Sequence, residues 1–98
     1  MAHARFVHVG LHYNGPVPIQ KLEETFNKAR DWFRYDTHCW VLYTSVDLNT
    51  WRERLRTIDE LKSGGFFFLC EFAPKSGSGY AGFMGQDFWD WLQKDRSI

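Results

Sequence analysis

At 98 residues the chain is long enough to bury one core and too short for two. A hydrophobic fraction of 44% excludes a disordered composition, and nine Phe, five Trp and four Tyr supply a small core with aromatic surface to spare for an interface. Twelve basic and twelve acidic residues cancel, which excludes the global positive field of a non-specific nucleic-acid binder and confines any nucleic-acid site to a local patch.

The opening residues Met1-Ala-His-Ala-Arg5 lack the apolar core of a signal peptide, and no apolar run reaches membrane-spanning length. A cytoplasmic protein without membrane contact is expected. From Arg5 to Tyr13 the chain alternates, with Val7, Val9, Leu11 and Tyr13 on one side and Phe6, His8, Gly10 and His12 on the other, the period of a half-buried strand. Asn14-Gly-Pro-Val-Pro18 breaks the strand, and Pro18 suits the first turn of a helix. Ile19, Leu22, Phe26, Ala29 and Phe33 then recur at three- and four-residue steps, predicting a helix that ends near Arg30 with Lys21, Glu24 and Lys28 turned outward.

Asp31 to Thr37 and Cys39 to Ser45 are rich in aromatic and β-branched residues around a polar Asp36-Thr37-His38, which predicts a hairpin. Asp47 is a good N-cap for a second helix, and Val46 with Trp51 forms a hydrophobic staple. Leu48, Trp51, Leu55, Ile58 and Leu61 make its buried stripe, and Ser63-Gly-Gly65 stops it. Phe66 to Phe72 is too short and too aromatic for anything but a core strand. Pro74 to Gly85 is a Gly/Ser-rich loop whose Ser76-Gly-Ser-Gly79 lacks the residues of a phosphate loop, and Gln86 to Lys94 packs Phe88, Trp89, Trp91 and Leu92 into a short amphipathic helix.

The order βαββαβ predicts an α+β fold of the ferredoxin-like, split βαβ type: a single domain with its core over about residues 5–73 and an extension over 74–98. In that arrangement the third and fourth strands flank the first, about 9 to 10 Å apart and beyond disulfide reach, so Cys39 and Cys70 are expected to be reduced, buried thiols. They form no metal-ligand spacing either.

Trp32-Phe-Arg-Tyr35, Trp40-Val-Leu-Tyr-Thr44, the Phe/Leu-rich fourth strand and a terminal Trp89-Asp-Trp-Leu92 box give the chain a resemblance to the SinR-like group of small ferredoxin-fold proteins. That group includes relatives of the CRISPR-adaptation protein that bridges two integrase dimers, and toxin-like cousins. The resemblance spans nearly the whole chain and implies a homodimer in nucleic-acid-linked biology, such as phage defence or mobile-element maintenance, binding or scaffolding RNA or DNA rather than cutting it. In the wider family the opening strand commonly ends in a Tyr-Asp pair whose aspartates are implicated in divalent-metal binding and phosphodiester cleavage. Here His12 stands at that place and no carboxylate occurs from Arg5 to Ile19, so no cofactor is expected and a divalent metal is disfavoured.

Candidate sites follow. His8 and His12 share one side of the first strand, and Glu71 on the fourth strand is expected beside His8, a possible acid/base cluster for RNA cleavage in a ribonuclease alternative in which His12 is the leading residue. Arg52 and Arg56 stack one helical turn apart and, with Arg30, Arg34 and Arg54, form a candidate phosphate patch. Phe6 with Phe67 and Trp40 or Tyr43 is a candidate stacking surface for bases. Both sides of the fourth strand are apolar, so Phe67, Leu69, Trp89 and Trp91 are candidates for an interface, with a second copy, another protein or the aromatic tail as cover.

Overall fold

In a computed structural model describing residues 4–62, 64–73 and 82–96, the first alternating run forms strand β1 (Arg5–His12), followed by helix α1 (Ile19–Phe26). The hairpin strands are β2 (Asp31–Asp36) and β3 (Cys39–Thr44). The second helical segment is split into α2 (Leu48–Arg56) and α3 (Asp59–Lys62), then come β4 (Phe66–Phe72) and α4 (Gln86–Gln93). The result is a mixed α+β domain around one four-stranded sheet of order β2-β3-β1-β4, every neighbouring pair antiparallel.

Val7 faces Leu42 and Val9 faces Trp40 across the β1–β3 pair, so one face of the sheet carries Val7, Val9, Leu11, Trp40 and Leu42. The stripes of α1, α2 and α3 close over it: Leu22, Phe26, Trp51 and Leu55 are wholly buried there, with Ile58 and Leu61 beside them. Asp47 caps α2 by accepting a hydrogen bond from Thr50 N at 2.8 Å, and Val46 packs against the same core.

Two helices differ from expectation. α1 ends at Phe26, because the chain must turn through Asn27 to Arg30 before Arg30 N bonds Tyr43 O at 2.9 Å; Phe33 therefore lies on β2 and packs on the other sheet face. The second helix breaks at Thr57, whose hydroxyl donates to Arg54 O at 2.7 Å while Thr57 N and Ile58 N bond three residues back, tightening the turn. The break costs nothing in burial, since Ile58 and Leu61 still reach the core. At the entry to β4, Gly64 has φ +87°, and a Cβ on Gly65 would come within 2.6 Å of His12 O. Ser63 lies outside the described residues, as does the loop segment 74–81 with Ser76-Gly-Ser-Gly79.

Strand β1 separates Cys39, opposite Gly10, from Cys70, opposite His8, and both thiols are free. They are not the buried pair expected: Cys70 is exposed and Cys39 half-buried, because β4 is an edge strand and Cys39 begins its strand at the hairpin turn. Among the described residues no helix is long and apolar enough to cross a membrane.

The terminal helix covers the second sheet face. Phe88 and Leu92 are buried against Phe6, Val41 and Tyr43, with Phe33, Tyr35, Phe72 and Trp91 around them. The chain beyond α4 is tied down through Arg96, whose side chain is 9% exposed. Its guanidinium lies 4.8 Å from the Tyr43 ring centre and 4.6 Å from that of Trp91, donates to Trp91 O at 2.7 Å, and meets Asp31 Oδ2 at 3.4 Å. Trp91 Nε1 donates to the same Asp31 oxygen at 2.9 Å. Arg96→Ala is expected to lower stability by about 2 kcal/mol, the scale of a desolvated cation–π and charge-assisted contact. Arg96→Lys should recover less than half, since an ammonium cannot stack and bridge at once; chemical denaturation checks both, and an Arg96→Ala curve overlying the wild type would show the clamp to be idle.

Candidate functional site

The sheet register separates residues that the sequence grouped together. His8 lies opposite Cys70, and Val7 opposite Glu71, so Glu71 belongs to the other face, where it meets Arg5 at 3.3 Å. The slip of one position in pairing is enough to reverse the face of every β4 side chain. The expected His8–His12–Glu71 cluster is not assembled. His8 and His12 do share a face, but four residues of strand set their Cα atoms about 13 Å apart, and each has its own neighbour. His12 is exposed and stacks on Phe66, ring centres 4.9 Å apart at 18°. His8 is half-buried and hydrogen-bonds Tyr35 Oη through Nε2.

The arginines are dispersed. Arg52 and Arg56 both turn to the Glu53 carboxylate, at 3.4 and 3.2 Å, which neutralises half of their combined charge. Arg34 covers the Trp40 ring at 4.8 Å and donates to Thr37 O, while Arg54 covers Trp51 at 4.8 Å. Arg30 is exposed at the start of β2, at the end of the strand away from Arg34. These contacts make the Arg34 and Arg54 guanidiniums lids over the core's indoles.

The proposed stacking surface also divides between faces. Phe6 and Tyr43 are neighbours at 5.0 Å beneath α4, whereas Phe67 packs on the helix-covered core and Trp40 is wholly buried within it. Leu69 accompanies Phe67. Phe67 and Leu69 are half-buried against that core; the exposed large apolar residues of β4 are Phe66 and Phe68, 66% and 69% accessible, whose side chains point to the α4 side. Of the tail residues, Trp91 is committed to Asp31 and Phe6, and Trp89 packs edge-on to Phe88.

What the sequence did not signal is a cavity of about 420 Å³ between α4 and the β4 side of the sheet. α4 lies over β2, β3 and the Phe6 end of β1, and leaves the region around His8 uncovered by its own side chains. Phe68, Phe72, Met84, Phe88 and Trp89 wall this space, and His8 with Tyr35 supplies its polar groups. Burial holds the His8 imidazole below its ordinary pKa, so it is neutral at pH 7. Burial first, then the nearby Cys39 thiol and the Asp36 carboxylate, push the Tyr35 phenol upward, so it too is neutral. Tyr35 was within reach of sequence reasoning, since it follows Phe33 by two on β2; the bulge after Arg34 hid which face the end of that strand would present.

Among the described residues no group of three or more His, Cys, Asp or Glu side chains is placed to hold a metal ion. No protein-family model, no curated protein and no solved structure matches this chain.

Proposed function

We propose that the chain is a ferredoxin-like domain that acts as a homodimer and serves nucleic-acid-linked biology by binding or scaffolding rather than by cleavage. The ferredoxin-like assignment is supported by the strand order β2-β3-β1-β4 together with two crossovers, α1 and α2–α3, packed on the same face.

The observation that carries the dimer is the β4 edge. Among the described strands it is the sheet's edge, next to β1, and its sequence Phe66-Phe-Phe-Leu-Cys-Glu-Phe72 has no Pro, Gly or Lys to blunt it. Its one charge, Glu71, is occupied by Arg5, and Phe66 and Phe68 stand exposed at the first half of this edge strand. Such an edge is self-complementary: a second copy related by a two-fold axis satisfies both sets of backbone groups and covers both pairs of phenylalanines. The nucleic-acid link rests on the resemblance in Trp32 to Tyr35, Trp40 to Thr44 and Trp89 to Leu92. Binding rather than cleavage is favoured because His12 has a phenylalanine ring beside it, and neither His8 nor Glu71 comes within reach to complete an acid/base pair.

Sedimentation of the wild type is expected to give a dimer at micromolar concentration, and Phe66→Glu a monomer with unchanged circular dichroism, because two buried carboxylates would face one another across the axis. A wild type that sediments as a monomer at 100 micromolar or so, well above the Kd of a standard-sized interface, defeats the reading. The same samples, titrated with labelled RNA and DNA at two salt concentrations, test the second half: binding that weakens with salt and leaves the strand intact supports it.

A further inference from the structure

We propose that the cavity between α4 and the β4 side of the sheet binds a small uncharged aromatic molecule carrying one hydrogen-bonding group, stacked among Phe68, Phe72, Phe88 and Trp89 and bonded at the His8–Tyr35 pair. The cavity shares Phe68 with the β4 edge, but the dimer's test residue Phe66 lies outside it, so the two readings are tested by different variants.

Size argues first. The space is a cleft partly open to solvent, and its volume of about 420 Å³ is within the range of small-molecule sites. The lining is the second argument. Four aromatic rings, Met84, Val41 and Leu92 make it apolar, and a flat ring is the shape that aromatic walls receive best, edge-on or offset. No Lys, Arg, Asp or Glu among the described residues lines it, so an ion entering would lose its hydration with no counter-charge to replace it.

The third argument is the polar pair. His8 projects from the middle of β1 and Tyr35 from the end of β2, so the sheet fixes both at the same wall of an otherwise apolar space. Imidazole and phenol together carry two acidic protons at most and more than two lone pairs, and one hydrogen bond between them leaves further donor and acceptor capacity. A hydroxyl or ring nitrogen on the ligand is the group that uses it. Because both partners are neutral, the site selects a neutral hydrogen-bonding group over a charged one.

The test uses the full chain with 2-naphthol and naphthalene as probes, followed in amide and indole NMR spectra. Expected are saturable shifts at Cys70, Met84 and Trp89, with naphthol bound about tenfold more tightly than naphthalene, the worth of one net hydrogen bond. Tyr35→Phe should erase that tenfold preference while leaving naphthalene binding in place. Cys70→Trp, at an exposed position facing His8, should fill the space and weaken both probes more than tenfold; Met84→Trp serves the same purpose if the first variant melts early. Absence of saturable shifts at 0.5 mM naphthol, shifts that map elsewhere, or a naphthol preference that survives Tyr35→Phe would each overturn the assignment.

Discussion

Removing residues 86–98 is expected to make the domain aggregate or fail to melt cooperatively. α4 is the cover of the second sheet face: without it Phe6, Val41 and Tyr43, now 7%, 1% and 8% exposed, would form one apolar patch continuous with Phe33, Phe72 and the already exposed Phe68. The deletion also takes away Arg96 and Trp91, whose side chains donate to Asp31 Oδ2. A milder version measures the packing alone. Leu92→Ala, at a position 1% exposed, should cost about 2–5 kcal/mol, the range for a leucine truncated in a core. For a domain this small that lowers the melting temperature by about 4–8 °C per kcal/mol. A truncated chain that stays monodisperse and melts at the wild-type temperature would show that α4 docks nowhere of consequence.

That α4 belongs to the fold was legible because Phe88, Trp91 and Leu92 recur at helical spacing and Phe66 to Phe72 is apolar on both sides; two unpaired apolar faces in one short chain solve each other. The sheet was legible for a related reason. Period-two alternation in β1 assigns its residues to faces without reference to any partner, and the structure keeps Val7, Val9 and Leu11 under the helices. Helix ends were less legible, since the stripe Ile19-Leu22-Phe26-Ala29 continues by spacing into Phe33, and only the hydrogen bond from Arg30 N to Tyr43 O shows that the chain has already left the helix.

The candidate site was the least legible part. Register cannot be read from one strand, and placing Glu71 beside His8 required β4 to pair one residue away from where it does. Residue type alone misled as well: arginines at helical spacing look like a phosphate patch, yet Glu53 lies between Arg52 and Arg56 and takes both, while Arg34 and Arg54 settle on indole faces. The cavity had no local signal at all, because its walls come from β1, β2, β3, β4, α4 and the segment that leads into α4. Arg96 illustrates the same limit, being one charged residue near a chain end whose partners lie more than 50 positions earlier at Asp31 and Tyr43.

Trp51→Ala is the single core substitution expected to cost most, about 3–5 kcal/mol. The indole is wholly buried between Phe26, 6.4 Å away, and the Arg54 guanidinium, and it is not only a volume. Its Nε1 donates to Thr44 Oγ1 at 3.2 Å, and the same hydroxyl oxygen accepts from Val46 N at 3.0 Å, so one threonine at the end of β3 ties the entry of α2 to the sheet. Trp51→Phe keeps most of the ring and removes the donor; Thr44→Val keeps the shape and removes the acceptor, stranding the buried indole N–H and the half-buried Val46 N–H. The second change should therefore be the worse of the two, by about 1–3 kcal/mol for each group left unsatisfied in the interior. Combining them should cost less than the sum, because once the indole is gone Thr44 has one donor fewer to lose. Urea denaturation of the four proteins gives the cycle directly, provided the slope with denaturant stays constant. Strict additivity would mean that Trp51 and Thr44 act separately, and the tie between β3 and α2 would then have to be carried by the Asp47 cap and the Val46 contact instead.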